Sequence, residues 1–453
     1  MSAIAAIATP TGAGGLSVVR ISGDSALAVA SCIFVPASGR TVASMKGYSA
    51  CYGRVRDREG RDIDEAVLLI FRAPHSYTGE DTAEISCHGG RYVTESVLRA
   101  ALDAGAAPAS AGEFTKRAFL AGKLSLTQAE AIADLIAAQG RQAADAALAA
   151  RDGALAARLA GMTEELLAIA AEITAWVDFP EEDTPAVSKE ALLPALVSVS
   201  EGLQELLKSY DAGRILREGV DAVIVGKPNV GKSTLMNLLA GHTRSIVTPV
   251  PGTTRDIVEE SILVGGVPLR LADTAGLRDT EDEVEGIGVR LARERLARAG
   301  LLLVVLDGSE PLTQEDRALL EQARERPSVV VINKADLEQK LPRESLCDFP
   351  DAVYVSAREG QGAELLHAAI ARVLHVAGLD PKAAMLSNER QRSCAVRAYD
   401  ALHSAAATLR EGFSLDAVNI DLDDALDALL ELAGKRVSEE VVNEVFSRFC
   451  VGK

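Results

Sequence analysis

The feature that most constrains this chain is a glycine-rich segment near its middle. Residues Asp221 to Thr234 read DAVIVGKPNVGKST, and the pattern G-x-x-x-x-G-K-[ST] runs without a gap from Gly226 to Ser233. The apolar residues before it predict a buried parallel strand, and a helix that begins at the loop would add its positive N-terminal end. Backbone N–H groups of such a loop hold phosphate oxygens, Lys232 would meet the β- and γ-phosphates, and the Ser233 hydroxyl suits Mg²⁺.

The composition is typical of a soluble globular protein with about three domains. Of the 453 residues, 48% are apolar and 25% are charged, and the net charge is -18. This charge argues against a broad basic surface for nonspecific nucleic-acid binding, so any RNA contact would be local. The six cysteines form no C-x-x-C pair, which indicates neither a zinc site nor a disulfide framework and fits a reducing cytosol. We expect no secretion signal and no membrane span.

Residues 1–118 alternate short β-rich runs with turn residues, which predicts an α+β domain with helices around Ser25 to Cys32 and Tyr92 to Ala104. The segment TPTGAGGLS lacks the G-x-G-x-x-G spacing, so a tight turn is favoured over a dinucleotide-binding loop. Polar residues next to the apolar runs would by themselves be read as surface or strand-end contacts. They are Arg20, Glu84, His88 and Lys123.

Two parts of the chain, residues 119–216 and 379–453, are rich in Ala and Leu at helical spacing. Ser125 with Gln128, or Thr127 with Glu130, would form a capping box at the start of the first part. Ser387 and Ser438 are the expected N-caps in the second part. We predict that the two parts pack as one helical domain. The acidic run 179–183 between its helices is interpreted as a solvated turn in preference to a metal site.

The residues between these parts, 217–378, alternate strand and helix patterns, which predicts a mostly parallel sheet. A hairpin is expected at Gly265 and Gly266. The motif DTAG from Asp273 would serve Mg²⁺ and the γ-phosphate. In the motif NKAD from Asn333, the Asp336 carboxylate would accept hydrogen bonds from guanine, and adenine would leave it unpaired. With Ser356 and Ala357 completing the base pocket, the motifs predict GTP as the nucleotide.

The segment from Ile246 to Asp256 is expected to act as a switch, with a threonine hydroxyl joining Ser233 on Mg²⁺. After DTAG stands Leu277, where Ras-type enzymes carry a glutamine that orients water, so hydrolysis must use another group. Glu285 or Glu283 could act through water. The alternative is a charged loop without a catalytic role.

Beyond these motifs, the chain resembles the MnmE (TrmE) family of bacterial tRNA-modification GTPases over essentially its whole length. The resemblance rests on IAAIATPTGAGGLSVVRISG, SYTGEDTAEISCHGG, GEFTKRAFLAGKLSLTQAEAIADLI, WVDFPEE and FCVGK. It implies a cytoplasmic homodimer that binds (6S)-5-formyl- or 5,10-methylene-tetrahydrofolate through its N-terminal domains. With the flavoprotein MnmG (GidA), in a heterotetramer or larger complex, it would add an aminomethyl or carboxymethylaminomethyl group to C5 of the wobble uridine of certain tRNAs.

The resemblance also assigns roles to residues of this sequence. Folate contacts fall on Arg20, Glu84, Lys123 and Lys453. Cys450 becomes the candidate catalytic thiol, with a packed, inert cysteine as the alternative. Glu285 would position the attacking water. Mg²⁺ falls to Ser233 and Thr254, and K⁺ to Asn229, Thr248, Val250 and Thr253. The full set expected to contact GTP is Asn229, Val230, Gly231, Lys232, Ser233, Thr234, Thr248, Pro249, Val250, Pro251, Gly252, Thr253, Thr254, Asp273, Thr274, Ala275, Gly276, Asn333, Lys334, Asp336, Ser356, Ala357 and Arg358.

The chain departs from the family pattern in the glycine-rich segment 12–15, in SAGEF from Ser110, and at Val451, and none of these is expected to touch an assigned site. Two other functions remain open. One is a GTP switch for ribosome maturation, and the other is a stand-alone folate-dependent methyltransferase. Folate binding and dependence on a flavin partner would separate them from the tRNA-modifying reaction.

Overall fold

The computed structural model describes residues 2–10, 12–178, 189–242, 260–264, 266–273, 299–412 and 414–453. The chain divides into two compact units. One comprises Met1–Ala133 with Leu430–Lys453, and the other comprises Asp134–Leu429. The last 24 residues therefore group with the N-terminal part of the chain. The four-part division expected from composition stays a prediction.

In the first unit the described strands form a seven-stranded sheet in the order β3-β4-β5-β6-β2-β1-β7. Neighbours are antiparallel, except that β1 and β7 run parallel. The bounds are β1 Ile4–Ile7, β2 Leu16–Ser22, β3 Phe34–Pro36, β4 Ser49–Arg56, β5 Asp62–Phe71, β6 Thr82–His88 and β7 Ala107–Pro108. The segment TPTGAGGLS joins antiparallel strands, whereas a dinucleotide loop would lead into a helix. The turn interpretation is thus confirmed for its described residues.

In the described part of the chain, helices lie between the strands and after them. Their bounds are α1 Ala26–Ile33, α2 Arg91–Asp103, α3 Glu113–Leu120, α4 Leu126–Ala137, α5 Arg141–Arg151, α6 Ala154–Asp178, α7 Lys189–Glu218, α8 Lys232–His242, α9 Gln314–Arg324, α10 Ala363–Val373, α11 Glu389–Glu411, α12 Leu415–Leu432 and α13 Glu439–Ser447. The first two match the helices expected near Ser25 and Tyr92. They pack on the sheet of the first unit and bury its main core.

The second unit contains an α/β domain inserted between helical segments. Its described strands form a six-stranded sheet in the order β13-β12-β11-β8-β10-β9. All pairs are parallel except the antiparallel β9 and β10, as a hairpin near Gly266 requires. The bounds are β8 Val220–Val225, β9 Glu260–Val264, β10 Val267–Asp273, β11 Leu301–Asp307, β12 Ser328–Asn333 and β13 Val353–Tyr354.

The helices on either side of the inserted domain pack against each other in the second unit. The hydroxyl of Tyr210 on α7 donates to Glu389 on α11 at 3.0 Å, and the Arg392 guanidinium lies 5.6 Å from the centre of the Tyr210 ring. The apolar positions predicted at helical spacing on α6, such as Leu159 and Leu166, are fully buried. These contacts confirm that helices before and after the inserted domain pack together, whereas residues 119–133 and 430–453, which the prediction also placed in this helical domain, group with the first unit.

Two of the predicted helix starts are confirmed, and one is wrong by a residue. Ser125 and Gln128 form the reciprocal capping box, with bonds of 2.9 and 3.2 Å. Ser438 caps α13 by accepting from the Val441 N–H. At α11 the cap is Asn388 in place of the expected Ser387, because the Asn388 side chain accepts the first-turn N–H at 2.9 Å.

Within the described ranges, no helix has the length and apolar character needed to cross a bilayer. The six cysteines are all free thiols. In the same part of the chain, no group of three or more His, Cys, Asp or Glu side chains is placed to hold a metal ion.

Candidate functional site

The predicted phosphate loop connects β8 to α8. Gly226 and Gly231 have positive φ angles of 157° and 96°, and Asn229 at the tip also lies in the left-handed region, at 64°. The loop thus curls back over the start of α8, as a phosphate cradle requires. The ammonium of Lys232 donates to the carbonyls of Gly226 and Lys227 at 2.8 and 2.7 Å. Ser233 and Thr234 are exposed on the first turn of the helix.

Asn333 joins the phosphate loop to the segment expected to bind the base. It ends β12, is 3% exposed, and donates from Nδ2 to the Val230 carbonyl at 2.7 Å. Its Oδ1 accepts from the Ala357 N–H at 3.0 Å. One buried amide therefore connects the phosphate loop to the segment after β13, and the structure brings these predicted residues into one site.

Asp336 is exposed near the same edge of the sheet. The buried Ser356 hydroxyl donates to its Oδ1 at 2.6 Å, and this hydrogen bond lowers the pKa of the Asp336 carboxyl. The carboxylate is thereby kept ionised and acts only as an acceptor, which is the chemistry that selects the N–H edge of guanine. Arg358 follows as an exposed residue.

Asp307 was not singled out from the sequence, yet it orients Lys334 in the base motif. Its Oδ2 lies 2.5 Å from the Lys334 ammonium, and its side chain is 5% exposed. Burial raises the pKa of this carboxyl, but hydrogen bonds from Lys334 and Ser309 outweigh burial and lower it. The available signal was its position at the end of the apolar run LLLVVLD, on the edge where parallel strands bind ligands.

Asp273 is placed as predicted, because it ends β10 and pairs in register with Ile224 of β8. The remaining residues predicted to bind nucleotide or cations, or to position water, lie outside the described part of the chain. They are Thr248, Pro249, Val250, Pro251, Gly252, Thr253, Thr254, Thr274, Ala275, Gly276, Glu283 and Glu285. The acidic run 179–183, predicted as a solvated turn of the helical domain, also lies outside it.

A second polar cluster forms in the first unit, where Arg20 of β2 lies opposite Glu84 of β6. The Arg20 Nε donates to Glu84 at 2.8 Å, and its Nη1 donates to the Gly452 carbonyl at 3.1 Å. The guanidinium lies 5.9 and 5.4 Å from the ring centres of Tyr77 and Phe114. Two predicted folate residues therefore contact each other. Tyr77, which the sequence reading left unassigned, lies beside them.

The other two predicted folate residues are the lysines Lys123 and Lys453, which differ from Arg20 in having no carboxylate partner within the described ranges. The Lys123 ammonium donates to the backbone carbonyls of Pro74 and Ser76. Among the described residues, neither Lys123 nor Lys453 pairs with a carboxylate. No carboxylate side chain of the described residues holds either ammonium group, and such a group suits an anionic ligand. His88, by contrast, is an exposed residue that pairs with Asp64 at 2.8 Å, as the surface interpretation expected.

The C-terminal motif is seated against the segment that starts at Ser110. Ala111 and Val451 form an antiparallel bridge, and the Phe114 N–H donates to the Lys453 carbonyl at 3.1 Å. Two departures from the family pattern, Ala111 and Val451, therefore meet beside Cys450 in the chain, and the expectation that they touch no assigned site stays a prediction. Cys450 is exposed and lies beyond the end of α13, so it is not the packed cysteine on the last helix that the alternative described, and its catalytic role stays a prediction.

The chain is similar to known proteins over almost its whole length. Residues 3–123 match the family model described as "GTP-binding protein TrmE N-terminus", and residues 126–450 match "MnmE helical domain". The chain is similar to "tRNA modification GTPase MnmE" of Symbiobacterium thermophilum, with 45% identity, and of Heliobacterium modesticaldum, with 43%. It is also similar to the protein of that name from Alkaliphilus oremlandii, with 40% identity. Each match covers 99% of both chains.

Proposed function

The chain belongs to the MnmE family of tRNA modification GTPases, and from this premise we propose that GTP hydrolysis drives a modification at C5 of the wobble uridine. The partner would be the flavoprotein MnmG, and the added group aminomethyl or carboxymethylaminomethyl. The chain would act as a homodimer in the cytoplasm. The observation that supports the proposal is that one chain carries a phosphate loop bonded to Asn333, an Asp336 carboxylate bonded to Ser356, and a second polar cluster at its terminal motif.

The phosphate loop supports a role for cations in hydrolysis. Ser233 presents a hydroxyl at the N-terminal turn of α8, and hydroxyl oxygens suit Mg²⁺. Asn229 stands exposed at the loop tip, where its side-chain oxygen suits K⁺. Such cations offset the negative charge that develops on the phosphates in the transition state. We assign the remaining contacts to Thr254 for Mg²⁺ and to Thr248, Val250 and Thr253 for K⁺, with Glu285 positioning water.

The cluster around Arg20 supports a folate site. The ammonium groups of Lys123 and Lys453 pair with no carboxylate side chain among the described residues, and they fit the glutamate carboxylates of a tetrahydrofolate. Glu84 accepts a hydrogen bond from Arg20, so the two side chains form one polar surface. We propose that this surface hydrogen-bonds to the pteridine ring, with Glu84 accepting from its N–H groups. Cys450 is proposed as the catalytic thiol, and its exposure leaves it accessible to a substrate.

The test of the GTPase part is turnover in buffers whose sole monovalent cation is Na⁺ or K⁺. We expect strong stimulation by K⁺ that is lost in Asn229→Ala and in Glu285→Ala. Asn237→Ala is the matched control, because Asn237 is an exposed residue of α8 beyond the loop, and it should keep the stimulation. Equal rates in the two salts would contradict the potassium assignment and would require another source for the missing positive charge.

A further inference from the structure

Lys227 follows the first glycine of the phosphate loop, at a position that the motif leaves free. Its ammonium lies 2.8 Å from Oδ2 of Asp316 and 3.9 Å from Glu310. The Lys227 side chain is 14% exposed and that of Asp316 is 4% exposed. A solvated surface lysine would be far more accessible. This side chain therefore anchors the loop to the start of α9.

Asp316 is held in place independently of the lysine. It is the N3 residue of a capping box, in which its Oδ2 accepts from the Thr313 backbone N–H at 2.9 Å and from the Thr313 hydroxyl at 2.7 Å. Its other oxygen, Oδ1, is buried and accepts no hydrogen bond from the described residues. A buried carboxylate needs a compensating cation, and Lys227 supplies that charge.

The pKa values of the two groups follow from this geometry. The hydrogen bond to Asp316 raises the pKa of Lys227. Burial raises the pKa of Asp316, but its hydrogen bonds from Lys227 and Thr313 outweigh burial and lower it. Both groups therefore stay charged through the neutral range, so the ion pair is present under the conditions of GTP hydrolysis.

The backbone of the same residue reaches the phosphate-binding lysine. The Lys227 carbonyl accepts from the Lys232 ammonium at 2.7 Å, and the neighbouring Gly226 carbonyl accepts at 2.8 Å. We propose that Lys227 is a positioning residue for GTP hydrolysis: its ion pair with Asp316 fixes the two carbonyls that aim Lys232 at the β- and γ-phosphates. Helix α9 carries no nucleotide-binding motif, and through Asp316 it would help to position the phosphate-binding lysine.

The test is steady-state GTP hydrolysis by the full chain with Mg²⁺ and K⁺. Lys227→Met keeps the aliphatic stem and removes the charge. We expect kcat to fall about tenfold, because Lys232 stabilises charge that grows in the transition state. KM should change less than about threefold, because the loop amides still bind the phosphates. Asp316→Asn can still accept from Thr313, so it breaks the ion pair and spares the cap, and it should lower kcat similarly.

Two further variants separate positioning from general stability. Lys227→Arg restores a cation and should recover at least about half of the wild-type kcat. Arg324→Met removes an ion pair with Asp348 at the other end of α9, and it should leave kcat within about twofold. The proposal is overturned if Lys227→Met keeps wild-type kcat, if Arg324→Met matches its loss, or if Lys227→Arg fails to recover activity while thermal unfolding shows it folded.

Discussion

At Gly231 the phosphate loop runs against the amide of Asn333. A Cβ atom at this position would lie 2.3 Å from Asn333 Nδ2, and the backbone has φ +96°. The motif explains the glycine by the approach of a phosphate. The structure adds a second reason, since any side chain here would clash with Asn333, which bonds the loop to the segment predicted to bind the base.

Gly231→Ala should therefore weaken nucleotide binding by more than backbone strain alone predicts. The left-handed conformation costs about 1–3 kcal/mol for a non-glycine residue, and the clash also displaces the Asn333 bond to Val230. We expect the Kd for a fluorescent GDP analogue to rise about tenfold or more. Gly241→Ala on α8 is the control, because nothing lies within 4 Å of its Cβ position, and it should bind GDP normally. A Gly231→Ala Kd within about twofold of wild type would contradict this account.

Among the helices, the start of α11 shows how packing selects between two good caps. Ser387 and Asn388 are both favoured N-cap types. The Leu386 side chain is fully buried, and its carbonyl lies 2.5 Å from where a Cβ on Gly213 of α7 would stand. This close approach fixes the backbone before the helix. As a result the chain turns at Asn388, and the Ser387 N–H instead bonds the Gln391 side chain at 2.8 Å.

Asn388→Ala should destabilise the first turn of α11, whereas Ser387→Ala should not. Loss of an N-cap side chain costs about 1 kcal/mol, which corresponds to about a fivefold faster opening of the local amides. Hydrogen–deuterium exchange of a peptide spanning the first turn measures this directly. The Ser387→Ala variant keeps the backbone N–H bond to Gln391, so its exchange should match wild type. Equally faster amide exchange in both variants would contradict this assignment, because it would mean that Ser387 and Asn388 both cap the helix.

On the scale of the whole molecule, the two ends of the chain meet in the first unit. A Cβ on Gly452 would lie 2.2 Å from the Ile7 carbonyl, in a backbone with φ +97°. The carbonyl of Gly452 accepts from Arg20, 432 residues earlier in the chain. The last α-helix of the chain also holds the terminal motif in place, because Phe446 packs with Phe449 and Leu126 in a small apolar core. The terminal motif is thus part of the N-terminal unit.

Gly452→Ala should displace the terminal motif from its contact with β1 and weaken folate binding at the proposed site, while GTP turnover stays normal. We expect binding of (6S)-5-formyl-tetrahydrofolate in equilibrium dialysis to weaken about tenfold. Thermal unfolding of the first unit should also begin at a lower temperature, since the substitution adds strain of about 1–3 kcal/mol. Gly60→Ala is the matched control, with φ +81° and no atom within 4 Å of the Cβ position. If stability falls but folate binding is unchanged, the terminal motif does not form part of the folate site.

Much of this protein could be predicted from short stretches of the chain, because those features depend on neighbouring residues. The phosphate loop, the apolar run of β11 and the capping box at Ser125 each lie within a few consecutive positions, where spacing and residue chemistry decide the outcome. The order of the nucleotide motifs along alternating strands and helices was enough to predict the mostly parallel sheet, and the guanine pocket at its edge stays a prediction.

The tertiary structure alone decided which distant groups meet. Arg20 and Glu84 lie 64 positions apart, and Asn333 and Val230 lie 103 apart. No local pattern encodes such pairs, because strand order depends on which apolar faces bury each other. The ion pair of Lys227 with Asp316 could not be predicted for the same reason. The two residues belong to separate elements and become neighbours only when the sheet has formed.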